Sequence, residues 1–204
     1  MLKVGLTGNI AAGKSSVVRV WRALGAVVVD ADELARRAVE PGTPGLARIV
    51  EAWGPEVLDA EGELDRAALR RIVFADPEAR SRLEEIVHPA VQALRGGEYR
   101  RAEADGARLV VADIPLLFEV GMADEFDVVV LVDAPEEERL RRLVEDRGLD
   151  PEEAVRMIDA QMPAELKRAR ADLVIENAGT PAELEARARD AWAELARRAE
   201  AAGG

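Results

Sequence analysis

GNIAAGKS occupies Gly8–Ser15, after a short apolar run at 2–7 and before an amphipathic run at 15–24. The first run predicts a buried strand, and the second predicts a helix that ends at Gly25. The stretch therefore shows the pattern Gly-x-x-x-x-Gly-Lys-Ser in the strand, loop and helix context that a phosphate-binding loop (P-loop) requires. A chance match in a glycine-containing turn is the alternative, and the flanking elements disfavour it.

Each part of this loop suits a nucleotide phosphate. Glycines let backbone N–H groups converge on phosphate oxygens, and the following helix points its positive end at the same anion. Lys14 can reach the β- and γ-phosphates of ATP, and the Ser15 hydroxyl can ligate Mg²⁺. The expected nucleotide-binding residues of the loop are Gly8, Asn9, Ile10, Ala11, Ala12, Gly13, Lys14, Ser15 and Ser16.

Further apolar runs predict the other strands, at 26–30, 108–113, 127–132 and 173–176. Continuous apolar strands that alternate with helices predict a parallel sheet covered on both faces. The expected fold class is thus α/β, a P-loop NTPase-type parallel five-stranded sheet flanked by helices.

The spacing of these strands predicts how the single domain is organised. The helical stretch at 31–105 exceeds a normal crossover, so we expect an inserted substrate-binding lobe there, with a break at Pro89. The charge-rich helical stretch at 135–170 lies between the fourth and fifth strands, and we expect it to form a lid, as the family resemblance described below implies. The segments at about 1–30, 106–134 and 171–204 would then form the nucleotide-binding core.

Composition excludes several classes of protein. The net charge of −12 disfavours general nucleic-acid binding, and the lack of cysteine excludes disulfides, thiolate catalysis and cysteine zinc sites. The chain shows no signal-peptide layout and no apolar run near the roughly 18 residues of a membrane span. We therefore expect a cytoplasmic protein, with a monomer favoured and neither nucleic acid nor membrane as a partner.

The loop alone does not identify the reaction, because GTPases, ATPases and small-molecule kinases share it. The Asn-Lys-x-Asp segment by which GTPases read guanine is absent from the sequence. A large ATPase would normally need a longer chain. A small kinase is therefore the leading class.

Several segments in order resemble the dephospho-CoA kinase family. They are VDAD at 29–32, VEPG at 39–42, GELDR at 62–66 and DIPLLFE at 113–119, followed by Arg142, Gln161 and Asn177. The resemblance runs from about residue 3 to 180. It implies transfer of phosphate from ATP to the ribose 3′-hydroxyl of dephospho-CoA, giving CoA and ADP, with ATP and Mg²⁺ required. It also implies that the insert forms the CoA-side pocket, near Arg66, Phe74 and His88.

Asp32 is the expected general base. It follows a strand's carboxyl end, where open α/β sheets place ligands, so its carboxylate could accept the proton of the attacking hydroxyl. The alternative is that Asp32 caps the next helix. Asp30 is the second candidate for the base, and it could instead cap a helix or contact Mg²⁺.

The resemblance implies further site residues, each with a structural alternative. Arg142 would stabilise the transferring phosphoryl group, or would form a surface ion pair. Asp113 ends a predicted buried strand and so resembles a Walker-B carboxylate, which could hold Mg²⁺ through water, or it would be a cap or turn residue. Asn177 would lie near the adenine of ATP, or would be a turn residue. For His88, beside Pro89, a helix boundary is favoured over a proton shuttle.

The sequence departs from the family pattern at the loop and at the lid. Asn9, Ala11 and Ala12 replace two glycines and a serine of the usual GGIGSGKS. At the position of the family's second lid arginine, this chain has Asp146. We expect Asp146 to pair with Arg142, four positions earlier, and Arg147 lies one position beyond it.

Another small P-loop nucleoside or nucleotide kinase remains an alternative function, as does a nucleotide-binding regulatory module without turnover.

Overall fold

The computed structural model describes residues 1–202 of the chain, so Gly203 and Gly204, at the end of the expected core segment 171–204, lie outside the described residues. Its strands are β1 (Leu2–Gly8), β2 (Val27–Asp30), β3 (Leu109–Asp113), β4 (Val128–Asp133) and β5 (Leu173–Glu176). They form a five-stranded sheet in the order β2-β3-β1-β4-β5. The strands are parallel and helices flank them, so the α/β fold class is confirmed.

The α-helices lie between and after these strands. They are α1 (Lys14–Ala23), α2 (Ala31–Arg37), α3 (Pro44–Trp53), α4 (Arg66–Ala75), α5 (Pro77–Ala104), α6 (Glu136–Arg141), α7 (Pro151–Asp159), α8 (Ala164–Arg168) and α9 (Pro181–Ala202). Short 3₁₀ turns lie at Pro55–Val57 and Ala123–Glu125, and a π-helical turn at Arg142–Asp146 continues α6.

Two compact units divide the chain, and the first contains Met1–Val29 and 102–204. Its core lies where α1 and α9 pack on the sheet. The fully buried Trp21 donates its indole N–H to the Ala188 carbonyl at 2.8 Å, which joins these helices. The buried β1 pairs with both β3 and β4. These strands are covered on both faces, so they can be continuous apolar runs without alternating polar residues.

Strand register brings several polar residues to one edge of the sheet. Leu6 pairs with Asp113, Gly8 pairs with Val132, and Asp133 pairs with Glu176. Because parallel strands end at the same edge, both aspartates lie where β1 releases the phosphate loop. Open α/β sheets bind their ligands at this edge.

The second unit is Asp30–Arg101, a helical lobe with its own core. Asp30, Thr43 and Asp65 cap α2, α3 and α4 by accepting hydrogen bonds from backbone N–H groups of the first helical turns. The buried residues of the lobe are Ala38, Val39, Ile49, Val57, Leu69 and Ile86.

The expected break at Pro89 is wrong, because α5 continues through this residue for 28 residues in all. A proline inside a helix costs about 3 kcal/mol through the lost hydrogen bond and a steric clash. Packing offsets this cost, since Ile86, Ala90 and Leu94 of the same helix contact the core of the lobe. His88 is exposed on the helix and marks no boundary.

Within the part of the chain that the structure describes, no helix combines the length and the apolar character that crossing a membrane requires.

Candidate functional site

The phosphate loop leaves β1 through glycines that the surrounding backbone requires. A Cβ on Gly8 would lie 2.8 Å from the Val132 carbonyl oxygen, so β4 leaves no room for a side chain there. Gly13 begins α1 with a φ of 98°, a conformation that side chains disfavour. A Cβ on Gly13 would also collide with the Asn177 side-chain amide. These glycines are therefore fixed by both conformation and space.

The first half of the loop is held by side chains that come from distant parts of the chain. Asn9 is buried, and its Nδ2 donates to Asp133 Oδ1 at 3.1 Å. The Ile10 N–H donates to Gln161 Oε1 at 2.8 Å. Both loop residues are thus held by the end of β4 and by the segment that follows α7.

The second half of the loop is held in the same way. Arg142 donates to the Ala11 carbonyl at 3.0 Å and to the Asn177 carbonyl at 3.3 Å. The buried Asn177 side chain donates to the Ala12 carbonyl at 2.9 Å. Arg142 and Asn177, both expected at the nucleotide, therefore lie against the loop.

Ala11 has a φ of 58°, which places it in the left-handed region that favours glycine. An alanine in this conformation stores strain in the backbone, of about 1–2 kcal/mol. The bond from Arg142 to the Ala11 carbonyl holds this peptide in place.

Lys14 forms an ion pair with Asp113, the buried last residue of β3. The pairing brings the loop lysine to the carboxylate that the sequence suggested for Mg²⁺. Ser15 is exposed in the first turn of α1, and the Ser16 N–H donates to the Gly13 carbonyl at 3.0 Å. A hydroxyl and a carboxylate are hard oxygen donors of the kind that Mg²⁺ takes alongside substrate phosphates and water. The residues present therefore fit a Mg²⁺ held jointly with a nucleotide.

A metal site built from protein side chains alone is absent from residues 1–202, where no group of three or more His, Cys, Asp and Glu side chains could hold an ion.

Asp133 links the loop to the edge of the sheet. Its second carboxylate oxygen accepts from Arg168 at 2.8 Å, and Arg168 also pairs with Glu176. These hydrogen bonds to Asp133 and Glu176 raise the pKa of Arg168. The loop residue Asn9 is thus connected through Asp133 and Arg168 to the end of β5.

Lys167 is fully buried and forms an ion pair with Glu119 at 2.7 Å. Glu119 also accepts from the Met162 N–H at 3.1 Å. Burial acts to raise the pKa of Glu119, but the ion pair with Lys167 and the hydrogen bonds from backbone N–H groups outweigh it and lower that pKa. The pair ties α8 to the segment after β3.

A cavity of about 560 Å³ lies beyond the ends of β4 and β5. Its wall includes Asp133, Arg139, Gln161, Arg168 and Glu176, but no residue of the loop Gly8–Ser15. The cavity therefore adjoins the residues that hold the loop and is separate from the phosphate-binding surface itself.

The expected ion pair between Arg142 and Asp146 is wrong. Arg142 lies 3.5 Å from Glu138, and Asp146 lies 3.9 Å from Arg141 instead. Side chains of a helix lean toward its N-terminus, and the π-helical turn Arg142–Asp146 changes the register after α6. Arg142 is consequently free of Asp146 and reaches the loop. Arg147 is exposed beyond that turn.

In the helical lobe, Asp30 is the N-cap of α2. Its Oδ1 accepts from the N–H groups of Asp32 and Glu33, at 2.9 and 3.1 Å. The alternative that Asp32 caps the helix is therefore wrong, since Asp30 fills that position. Asp32 lies exposed in the first turn of α2, and its carboxylate is not used by the cap.

Some residues of the site were missed in the sequence. Asp133 ends a buried strand, as Asp113 does, and this parallel was a signal that it also lies at the ligand edge. Lys167 is one of only three lysines in an arginine-rich chain, but nothing local showed that it is buried. Nothing in the sequence distinguished Arg168 as a site residue from the many exposed arginines of the chain.

Comparisons with known proteins agree with this geometry. The family model described as dephospho-CoA kinase matches residues 2–183. A dephospho-CoA kinase of Thermobifida fusca is 52% identical over 202 residues, covering 97% of this chain and 98% of that protein. One of Anaeromyxobacter dehalogenans is 51% identical over 195 residues, covering 96% and 92%.

Solved structures show the same likeness. A crystal structure of a Thermus thermophilus protein has a TM-score of 0.81 and 43% identity, covering 95% of this chain and 97% of that one. The structure of dephospho-CoA kinase from Campylobacter jejuni has a TM-score of 0.74 and 26% identity, covering 96% and 97%.

Proposed function

The chain belongs to the dephospho-CoA kinase family, and from this premise we propose that it transfers the γ-phosphoryl group of ATP to the ribose 3′-hydroxyl of dephospho-CoA, giving CoA and ADP. The observation that supports the proposal most is the phosphate loop, with Lys14 at the sheet edge beside Asp113. Phosphoryl transfer depends on positioning and charge neutralisation more than on covalent chemistry by the protein.

The loop supplies the positioning. Gln161, Arg142 and Asn177 hold its backbone, and Asp133 holds the Asn9 side chain, so little reorganisation is needed on ATP binding. Lys14 exchanges its contact with Asp113 for the β- and γ-phosphates. Such a preorganised cationic loop binds the charge that develops in the transition state.

Mg²⁺ belongs to the proposal, with Ser15 as its ligand and Asp113 holding it through water. When bound, the ion neutralises charge on the β- and γ-phosphate oxygens. Asp113 thus has two roles, the ion pair with Lys14 and the hold on this metal, because it lies at the end of β3 at the ligand edge.

Asp32 is the proposed general base. Its carboxylate is exposed, and Asp30 rather than Asp32 satisfies the backbone of α2, so the Asp32 side chain is available. It accepts the proton of the ribose 3′-hydroxyl as the oxygen attacks the γ-phosphorus atom. A capping carboxylate such as Asp30 is less suited, since its oxygen already accepts hydrogen bonds.

Arg142 is the proposed cation of the lid. Its guanidinium contacts the loop through the Ala11 carbonyl, and it retains donors for the nucleotide or the transferring group. Asn177, at the start of the loop after β5, is the proposed neighbour of the adenine.

The proposal assigns a role to each part of the chain. The segments at 1–30, 106–134 and 171–204 bind the nucleotide, the insert at 31–105 binds the acceptor, and the lid at 135–170 excludes water that would otherwise hydrolyse ATP. A cytoplasmic monomer acting on small molecules completes the proposal.

A panel of acceptors tests this function. Purified protein with MgATP should release ADP with dephospho-CoA, and the product should carry phosphate on the 3′-oxygen. Nucleosides, nucleotides and shikimate-like alcohols serve as comparison acceptors. ADP release with a nucleoside but not with dephospho-CoA would overturn the proposal in favour of another small P-loop kinase.

A further inference from the structure

Two neighbouring cations end the short helix α8, and each pairs with a carboxylate from another part of the chain. Lys167 is fully buried against Glu119, and Arg168 pairs with Asp133, whose side chain is 6% exposed. Removing such charges from water costs free energy that ion pairing offsets only in part. Stability alone therefore does not account for this arrangement, and both pairs continue towards the phosphate loop.

Arg168 reaches the loop through Asp133. Its guanidinium donates to one oxygen of the Asp133 carboxylate at 2.8 Å, and the other oxygen accepts from Asn9 Nδ2 at 3.1 Å. The carboxylate cannot turn without losing one of these hydrogen bonds, and Asn9 is only 4% exposed. Arg168 therefore fixes the direction in which Asp133 holds the second residue of the loop.

Lys167 reaches the next loop residue by a separate route. The Glu119 oxygen that pairs with Lys167 at 2.7 Å also accepts from the Met162 N–H at 3.1 Å. Gln161 directly precedes Met162, and its side-chain oxygen accepts from the Ile10 N–H at 2.8 Å. Lys167 and Glu119 thus hold the short segment whose glutamine holds Ile10.

The two routes start at adjacent residues of α8 and end at adjacent residues of the loop, Asn9 and Ile10. A phosphate loop binds anions through backbone N–H groups that must converge, so its affinity depends on how firmly its backbone is held. We propose that Lys167 and Arg168 are positioning residues, which set the first half of the loop in its phosphate-binding conformation without contacting the phosphates. This inference rests on the proposed function, since it requires a nucleotide at the loop.

Calorimetric titration with MgADP tests the route from Arg168. The full-length proteins are wild type, Arg168→Ala, Asn9→Gly and the double variant, which together form a double-mutant cycle. Arg156→Ala is the matched control, because Arg156 is an exposed arginine of α7 whose ion pair with Glu152 stays within its own helix. Glu176→Gln is a second control, since it removes the other ion pair of Arg168 and leaves the pair with Asp133.

Arg168→Ala should raise the Kd of MgADP about fivefold or more, as expected when a hydrogen bond to a charged group is lost. The same substitution in Asn9→Gly should change Kd by less than about twofold, because the loop then has no side chain for Asp133 to hold. Both controls should bind MgADP as wild type does. Equal weakening in both backgrounds would overturn the route through Asn9, since Arg168 would then attract the nucleotide directly. An unchanged Kd in Arg168→Ala, or an equal effect of Glu176→Gln, would overturn it as well.

The same design tests the route from Lys167. Lys167→Met keeps the apolar length of the buried side chain and should weaken MgADP binding about fivefold. Its effect should fall below about twofold when Gln161→Ala removes the end of the route. Glu119→Ala is a second variant with the same expectation if Lys167→Met does not fold, and urea unfolding curves verify that each variant is folded. Equal weakening with and without Gln161, or no weakening, would overturn this route.

Steady-state kinetics separate positioning from a general loss of structure. The ratio kcat/KM for ATP should fall by the same factor as the affinity for MgADP, and KM for dephospho-CoA should stay within about twofold of wild type. A lower kcat with unchanged KM for ATP would indicate only a smaller folded fraction and would contradict the inference. The proposed function fails differently, as a wild-type protein that binds MgADP but does not phosphorylate dephospho-CoA. The titrations would then still decide whether α8 positions the loop.

Discussion

Ala11 shows at the scale of one residue how the loop tolerates its departure from glycine. Its φ of 58° is the conformation for which glycine is normally used, and the Arg142 guanidinium binds its carbonyl. The side chain of an alanine is small enough to be accommodated there at a cost. The loop geometry is therefore set by its surroundings, and the residue adapts to it.

Replacing Ala11 with glycine should stabilise the protein by about 0.5–1 kcal/mol, because relief of the left-handed strain exceeds the entropy that glycine loses on folding. Urea unfolding measures the change. The control is Ala186→Gly in α9, an exposed helical alanine, which should destabilise by about 1 kcal/mol. A loss of stability in Ala11→Gly equal to that of the control would contradict the strain at this residue.

Asp32 gives the second prediction at this scale. Asp32→Ala should lower kcat by roughly 100-fold or more, because the attacking hydroxyl loses its proton acceptor, and should leave KM for ATP nearly unchanged. Steady-state kinetics at saturating dephospho-CoA measure both constants. The neighbouring exposed Glu33 is the control, and Glu33→Ala should retain activity. If Asp32→Ala keeps normal turnover, another group accepts the proton.

At the scale of elements, the site is assembled by contacts between segments that are short and individually weak. The helix α8 has only five residues, but Lys167 ties it to Glu119 after β3. The neighbouring Arg168 ties the same helix to Asp133 at the end of β4. A helix this short is stable only through such tertiary contacts.

Removing the charge of Glu119 should therefore destabilise the protein in a pH-dependent way. Glu119→Gln leaves the buried Lys167 ammonium without its carboxylate, at a cost of about 1–2 kcal/mol near pH 7, moderated because Glu119 is partly solvated. The folded-state pKa of Glu119 is lowered, so the stabilisation is present above the unfolded pKa of about 4.5 and is lost as pH falls through the folded value.

Urea unfolding at a series of pH values measures this difference. The gap between wild type and Glu119→Gln should shrink as pH falls below about 4.5. Glu165→Gln, an exposed substitution on α8, serves as the control and should stay within about 0.5 kcal/mol of wild type throughout. A gap that is constant with pH would show that the carboxylate charge does not stabilise the fold.

At the scale of the whole molecule, a strongly acidic chain must bind anionic substrates through local cations. The net charge is −12, but the cations Lys14 and Arg142 both lie at the phosphate loop. Such local concentration of arginine and lysine provides anion sites, while the acidic remainder disfavours extended polyanions such as nucleic acids.

ATP binding should consequently stabilise the whole protein through the loop. MgATP at about 100 times its Kd should add about 2.7 kcal/mol and raise Tm by roughly 5–10 °C for a chain of this size. Differential scanning calorimetry measures the shift. Lys14→Ala should abolish most of it, whereas Arg19→Ala, an exposed substitution on the same helix, should retain it. A full shift in Lys14→Ala would argue against the phosphate role of the lysine.

The sequence by itself determined the five strands, the phosphate loop and the class of the fold, because these follow from local patterns of apolar residues, glycine and lysine. Its motifs also singled out Asp113, Arg142 and Asn177, whose side chains contact residues of the phosphate loop. The wrong predictions also came from local sequence. Pro89 predicted a helix break, but it lies inside α5, because packing offsets the cost of a proline in a helix.

Only the tertiary structure decided which side chains hold the loop and which carboxylate is free. Arg142 and Ala11 are separated by 131 positions in the chain, and no short-range pattern encodes their contact. The same is true of Asn9 with Asp133 and of Lys167 with Glu119. These contacts arise because parallel strands bring their carboxyl ends to one edge, where residues far apart in sequence become neighbours.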